Sequence, residues 1–501
     1  MALLLSTCLV SGLLLLGISD QSLWIDEGLV ARLASHDTLR ALFSELNQLT
    51  TSDPQMPLYL VFMWVWTMAF GISELALRAS NIPFALLLAL VFSWAFCRLF
   101  RRPWLALLVG LSPFLWYYMN EARPYIPVVA LAAVSLVATE AYLVDRRRYG
   151  AWATWVCLVS FLVLCATYML GVFFGVALAV LITLEARRRG IGWRSIVADW
   201  KRPIGVHTVL FLPLGAYFLL TLVRGSGGSR GSPGLGNLAF VVFEFLGFAG
   251  LGPPRHVLRA HPIPGTLLPY WPWLCLGGLA CLGLVFLAAR VFHSVERASE
   301  LASVVAALTA GGVALTAASL VFRFEFWGRH WAPLFPLFVL GIAVVMSTAP
   351  GGRRFCVAQL SVLVLLLSAW ALSSSRLRLM TAYFKDDYRR AAEIALSEAS
   401  ARGATVVWVA DDATAKYYGL EAERGQMPTG WPVRGRGVFA ANWERGRVEA
   451  TVSGRTAPLV VVLSKPDLYD RSGAWSSVIE ESGARRLATP NAFEIFVVDQ
   501  R

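Results

Sequence analysis

The first 28 residues, MALLLSTCLVSGLLLLGISDQSLWIDEG, decide how the whole chain is read. Residues 2–18 form an unbroken apolar run with no basic segment ahead of it and no small-x-small cleavage pattern before Asp20. That pattern predicts a retained first membrane helix rather than a removable signal peptide. A polar stretch follows at once, and within it Trp24-Ile25-Asp26-Glu27-Gly28 puts two adjacent carboxylates a few residues beyond the span.

The rest of the chain repeats the apolar theme. Of 501 residues, 57% are hydrophobic and only 15% charged, well below the roughly 25% charged residues of a soluble protein. Soluble enzymes, disordered chains and disulfide scaffolds are excluded, and a multispanning membrane protein is expected. Further spans are read near 80–98, 104–119, 126–144, 151–167, 169–186, 204–222, 267–289, 301–322, 332–348 and 355–372, which makes eleven. Two runs of 14 residues, 57–70 and 238–251, reach about 21 Å as helices against a hydrocarbon core of about 30 Å. They are placed at the interface.

Charge supports that count. With the N-terminus cytoplasmic, the loops 98–103, 145–150, 187–203, 290–300 and 349–354 lie inside and hold 16 Arg and Lys in 46 residues. The outer loops ahead of the tail hold 10 in about 120. That is the positive-inside asymmetry. The net charge of +12 therefore reads as orientation, not as a nucleic-acid face. The seven cysteines sit in or beside apolar runs, so neither a disulfide framework nor a Cys-x-x-Cys metal site is encoded.

Three features face outward in this reading: a long first loop at 19–79, a Gly/Pro-rich loop at 223–266 containing the flexible sequence RGSGGSRGSPGLG, and a polar tail. The fold class expected is an α-helical polytopic membrane domain, 1–372, followed by a small α/β extracytoplasmic domain, 373–501. Within the tail, helix-like segments (386–400, 412–419, 474–482) alternate with strand-like ones (405–410, 458–464, 493–498). Neither a Gly-x4-Gly-Lys phosphate loop nor a complete Gly-x-Gly-x-x-Gly fingerprint accompanies them, so nucleotide binding is unsupported. Asp412 of the Asp411-Asp412 pair is read as a helix cap.

Chemistry is sought where polar groups are held at the outer surface. Asp26 is either the cap of the helix that begins beside it or a carboxylate able to take a proton from an acceptor hydroxyl. Asn120-Glu121-Ala122-Arg123-Pro124-Tyr125 offers either a structural ion pair or an acid and a cation for a ligand. In Phe326-Trp327-Gly328-Arg329-His330-Trp331, the tryptophans read as interface anchors, while Arg329 and His330 suit a phosphate. Arg255, in Gly252-Pro253-Pro254-Arg255, is a fourth cation, either for that phosphate or for the solvated surface.

The order of these motifs resembles the GT-C membrane glycosyltransferases, in the bacterial branch allied to protein O-mannosyltransferases and the lipid A aminoarabinose transferase. The resemblance rests on Trp-x-Asp-Glu (24–27), Pro-Leu-Tyr (57–59), Phe-Gly-x-Ser-Glu-x-x-x-Arg (70–78), Glu-Ala-Arg-Pro-Tyr (121–125), Gly-Arg-His (328–330) and Lys-Asp-Asp-Tyr-Arg (385–389). It implies Asp26 as catalytic base with Glu27 beside it, and Arg123 near the donor phosphate, to which Arg255, Arg329 and His330 are added on their own chemistry. Glu121, Tyr125 and Arg78 are supporting residues. Tyr125 stands where many relatives have Asp, and Thr167-Tyr168 where many have His-Tyr. The implied donor is a polyprenyl-phosphate-linked sugar, and the implied acceptor an envelope lipid, glycan or protein. Membrane lipid is the other partner, no nucleic acid is involved, and the location is a bacterial inner membrane. No cofactor is assigned, because two carboxylates make a thin ligand set for a divalent metal. Competing readings are a transporter or flippase coupled through Asp26 and Glu121, and a non-catalytic envelope assembly factor. The first expects ionisable groups at mid-membrane within paired halves, which the sequence lacks.

Overall fold

The computed structural model describes residues 1–225, 231–260, 263–293, 298–347, 352–422, 435–455 and 457–499. The Gly-rich residues 226–230 of the loop expected to be flexible, and 294–297 and 348–351 in two loops expected inside, lie outside the described residues. Eight described helices are long and apolar enough to cross a membrane: Glu74–Arg98, Tyr125–Val144, Met169–Arg188, Trp193–Val223, Gly265–Phe292, Ala298–Phe322, Gly328–Ser347 and Arg354–Leu379. Each covers one of the eleven expected spans. Of the other three expected spans, 151–167 lies within the 22-residue helix Arg146–Thr167, 2–18 is the 14-residue helix Ala2–Leu15, and the third is broken.

The 104–119 run is not one helix. It divides into a 3-10 turn, Pro103–Ala106, a short helix, Leu107–Gly110, and a second helix, Pro113–Met119. Pro113 has no N–H to continue the first helix, and Ser112 starts the second by accepting from the Leu115 amide. The chain is thus a multi-pass membrane protein with irregular backbone at one expected span.

The chain divides into two compact units. The first comprises Met1–Ile18, Glu45–Phe62 and Arg78–Met380. At its centre the Tyr125–Val144 helix is buried along almost its whole length. Small polar residues join it to the following helix: Ser135 bonds Ser160 at 2.6 Å, and Thr139 bonds Cys157 at 3.3 Å. Such groups hold helices together where lipid provides no hydrophobic drive between them. Gly311 and Gly312 serve the same end sterically, because a side chain at Gly312 would meet the Trp331 ring. Trp331 is accordingly buried in the first unit and does not anchor at an interface.

The second unit comprises Ser19–Ser44, Met63–Leu77 and Thr381–Arg501. It holds a six-stranded sheet: β1 (Thr405–Val409), β2 (Leu420–Ala422), β3 (Gly435–Phe439), β4 (Leu459–Ser464), β5 (Arg485–Ala488) and β6 (Phe493–Val498). The order is β2-β3-β1-β4-β6-β5. Strands β2, β3, β1 and β4 are parallel, with Val406 opposite Val460, while β6 is antiparallel to both β4 and β5. The sequences TVVWV and LVVVLS are apolar without alternation because both faces are covered. Val406 and Trp408 enter one core with the Tyr388–Arg402 helix, and Val407 and Val409 enter the other with the Arg445–Ser453 and Ala474–Glu481 helices. All six tail segments expected from the sequence are present; β2, β3, β5 and the Arg445–Ser453 helix are additional.

Candidate functional site

The two carboxylates of the first loop stand at the start of the Ile25–Ala34 helix, in the second unit. Trp24 is the N-cap in extended backbone, and its carbonyl accepts from the Glu27 and Gly28 amides at 2.9 and 3.0 Å. Glu27 closes the reciprocal bond, its Oε2 accepting from the Trp24 amide at 3.3 Å. The Glu27 carboxylate thus supplies the side-chain half of a capping box, while Trp24 contributes only its backbone carbonyl. Glu27 is fully buried and lies 3.6 Å from the Lys385 ammonium. The cap is therefore Trp24 with Glu27, which leaves Asp26 as a half-buried carboxylate that is not the helix cap.

Tail residues surround this turn. The Leu23 amide donates to the Tyr418 hydroxyl at 2.7 Å, and the Arg389 amide donates to the Ser22 hydroxyl at 3.0 Å. Glu74, from the Phe-Gly-x-Ser-Glu motif, ties in as well, 2.9 Å from Arg389 and accepting from the Tyr418 hydroxyl at 3.1 Å. Gly28 faces Thr414 so closely that a Cβ would stand 2.8 Å from the Thr414 Cα.

Asp411, not Asp412, caps the Asp412–Tyr417 helix, accepting from the Thr414 amide and hydroxyl at 2.8 and 2.7 Å. Burial pushes its carboxyl up to about 6, against the pull of those two bonds, and neighbouring Asp412 pushes the same way. Asp412 instead pairs with Lys416 at 2.7 Å. The Tyr469 hydroxyl is held well above its ordinary value by burial first, then by Asp411, Asp26 and Asp386.

The cationic candidates occupy the first unit. Arg255 lies 3.6 Å from the Tyr117 ring centroid and donates to the Tyr118 hydroxyl at 3.2 Å. It also forms an ion pair with Glu244. Burial opposes the Arg255 charge, but the field of Tyr117, Tyr118 and Glu121 outweighs this and raises its pKa, with Arg329 acting the other way. Arg255, Arg329 and Glu121 therefore share one electrostatic neighbourhood.

Glu244, which the sequence reading missed, is sealed at 1% exposure and packs against Gly328, where a Cβ would meet its Cδ at 2.8 Å. The glycine of Gly-Arg-His thus makes room for the Arg255 partner. Tyr125 is buried, 4.9 Å from Tyr118 and 6.3 Å from Tyr168 between ring centroids. It continues an aromatic wall that starts at Tyr117.

The other candidates are placed differently. Arg123 is buried and bonded to Asp53 at 2.7 Å. Asp53 also accepts from Thr51 at 2.8 Å, and its turn is pinned by Tyr217 donating to the Pro54 carbonyl at 2.9 Å. His330 uses Nδ1 to accept the Trp327 amide at 2.7 Å, capping its own turn. Arg78 is fully buried at the end of the Glu74–Ala79 helix. Three residues on, Asn81 donates to the carbonyls of Met119 at 3.2 Å and Glu121 at 2.7 Å, satisfying the C-terminus of the Pro113–Met119 helix. Among the described residues, no three His, Cys, Asp or Glu side chains are grouped to hold a metal.

A polytopic helical membrane protein carrying a small α/β domain is the class that this fold defines. No protein-family model and no curated protein matches the chain. Among solved structures, it is similar to ArnT from Cupriavidus metallidurans in the apo state. The TM-score is 0.51 at 14% identity, over 99% of this chain and 97% of that one. ArnT bound to undecaprenyl phosphate is also similar, with TM-score 0.43 and 15% identity over 99% and 97%. So is arabinofuranosyltransferase AftD from Mycobacteria, with TM-score 0.41 and 16% identity over all of this chain and 41% of that one. The likeness to apo ArnT shows that the chain has the fold to which the sequence resemblance points.

Proposed function

We propose that the chain is an integral-membrane glycosyltransferase that moves a sugar from a polyprenyl-phosphate donor to an extracytoplasmic acceptor. The observation that carries this reading is the likeness of fold to ArnT, which extends over nearly the full length of both chains. ArnT itself has been crystallised with undecaprenyl phosphate. The charge asymmetry of the loops supports a cytoplasmic N-terminus and an extracytoplasmic tail, and the location assigned is a bacterial inner membrane.

In the proposed reaction, Asp26 takes the proton of an acceptor hydroxyl. The acceptor oxygen attacks the anomeric carbon, the bond from that carbon to the phosphate oxygen breaks, and polyprenyl phosphate leaves. A single displacement inverts the anomeric configuration. Negative charge grows on the leaving phosphate, and Arg255 and Arg329 are assigned to stabilise it more in the transition state than in the ground state. Arg255 is suited to this because Tyr117 and Glu244 fix its guanidinium in advance. His330 would join through Nε2. Arg123, held by Asp53, keeps its assignment near the phosphate but with most of its charge already matched. General-base assistance is worth typically ~10²–10⁴-fold.

The test is the release of free polyprenyl phosphate from a donor panel of mannose, glucose, arabinose and aminosugar carriers, with cell-envelope extract as acceptor. Membranes containing the protein should release carrier from at least one donor above membranes that lack it. No release from any donor would count against the reading.

A further inference from the structure

Residues 22–28, which carry Asp26, are moulded by the tail. Tyr418 takes the Leu23 amide, Ser22 takes the Arg389 amide, Lys385 reaches Glu27, and Thr414 touches Gly28. Lys465 completes the set in a way that the other contacts do not explain. It follows β4 directly and sits in left-handed backbone, φ +43°, although it is not glycine and precedes Pro466. Such a conformation costs on the order of 1–3 kcal/mol and persists only where the surroundings enforce it.

The strained backbone delivers an ammonium to two places at once. Lys465 pairs with Asp386, and its Nζ lies 5.7 Å from the Trp24 ring centroid. Lys385 lies 5.9 Å from the same ring. Both lysine side chains are nearly buried, so their attraction to the ring is only weakly screened. Trp24 is the N-cap whose carbonyl receives the Glu27 and Gly28 amides, just after Asp26, so holding its ring holds the first turn on which Asp26 sits. Lys465 and Asp411 follow the carboxyl ends of β4 and β1. There the sheet order reverses, an edge where open α/β sheets place functional groups.

We infer that Lys465 is a positioning residue for Asp26. By clamping Trp24 from the tail it holds the base in its working orientation, so the α/β domain is part of the transfer machinery and not only a cover. This inference rests on the glycosyltransferase reading. A base displaced by about 1 Å can cost on the order of 100-fold in rate without weakening substrate binding. Lys465→Met should therefore lower kcat by roughly 10- to 100-fold and leave the donor KM within about twofold. Lys465→Arg, which keeps a cation over the ring, should recover most of the rate.

The experiment measures carrier release by wild type, Asp26→Asn, Lys465→Met, Lys465→Arg and the Asp26→Asn/Lys465→Met pair, on whichever polyprenyl-phosphate sugar of the panel the wild type uses. In the Asp26→Asn background the lysine change should produce no further loss, because a positioning residue acts only through the base it positions. Unchanged kcat in Lys465→Met, a loss that adds to that of Asp26→Asn, or no recovery by arginine would each overturn the inference. If Lys465→Met does not fold, Trp24 replaces it as the probe: Trp24→Phe should keep most of the rate and Trp24→Leu lose it, and equal rates would overturn the inference. Failure of the underlying reading shows separately, as a wild type that releases no carrier or an Asp26→Asn protein as fast as wild type, and the inference then falls with it.

Discussion

Gly28→Ala tests the packing beneath the proposed base. The added Cβ would stand 2.8 Å from both Cα and Cβ of Thr414 and would run into its hydroxyl. Two of the opposing atoms are backbone or fixed to it, so no rotamer change relieves the contact and the Ile25–Ala34 and Asp412–Tyr417 helices must separate. Overpacking of this kind costs ~1–3 kcal/mol. Alanine returns up to about 1 kcal/mol of helix propensity, so a net loss of roughly 1–2 kcal/mol is expected. Gly12 is the matched control, since it is also helical and a Cβ there meets nothing within 4 Å. Gly12→Ala should be neutral or slightly stabilising. The assay is thermal unfolding in detergent together with carrier release. Gly28→Ala should melt lower than wild type and, because Asp26 is two residues away, lose on the order of 100-fold in kcat. A Gly28→Ala protein that melts and turns over like the Gly12→Ala control would refute the reasoning.

Other predictions address the remaining charged groups. Arg123→Met strands the buried Asp53 carboxylate and should cost about 3–5 kcal/mol, with Asp53→Asn in the same chain recovering most of it; unchanged melting of the single variant would show that the pair is not structural. Asp411, raised by burial to about 6, is favoured in its neutral form when folded. Its contribution is therefore fullest below the ordinary carboxyl value near 4 and is lost as pH rises through about 6. Asp411→Asn keeps a capping oxygen. Its stability relative to wild type should rise between pH 4 and pH 7, by at most about 3 kcal/mol, and a gap in melting temperature that stays constant over that range would contradict this. Gly328→Ala should push Glu244 off Arg255 and raise the donor KM by about tenfold. An unchanged KM would remove Arg255 from the phosphate site.

Much of the fold was legible because it is written in runs. Membrane spans need some 20 apolar residues, and the central strands TVVWV and LVVVLS are apolar throughout, so both stand out in a single sequence. What was hidden is short or set by distant partners. Strand β2 has three residues and β3 begins at a glycine, too little pattern to register. The Arg445–Ser453 helix buries only Val448 and Val452, so its period is faint. The break in 104–119 was signalled by Ser112-Pro113, a cap followed by a residue without an amide hydrogen, but its overall apolarity masked it.

The site divides in the same way. Asp26 and Glu27 were visible as adjacent acids, yet which of them closes the helix cap depends on a side-chain bond back to Trp24. Asp53 is 70 residues from Arg123 in sequence, and no local pattern joins them. Glu244 did leave a trace as the one carboxylate in the apolar helix Leu235–Phe245. A lone acid in such a run marks a buried partner, and that signal was available.

The central claim, that Asp26 is the base of a lipid-linked sugar transfer, is tested most directly by comparing carrier release from wild type and Asp26→Asn in matched membranes. Asparagine keeps the size and most of the hydrogen bonding but cannot take the proton, and Trp24 with Glu27 caps the helix in either protein. The account predicts release by wild type and a loss of ~10²–10⁴-fold in a folded Asp26→Asn protein. Equal release by the two would contradict it.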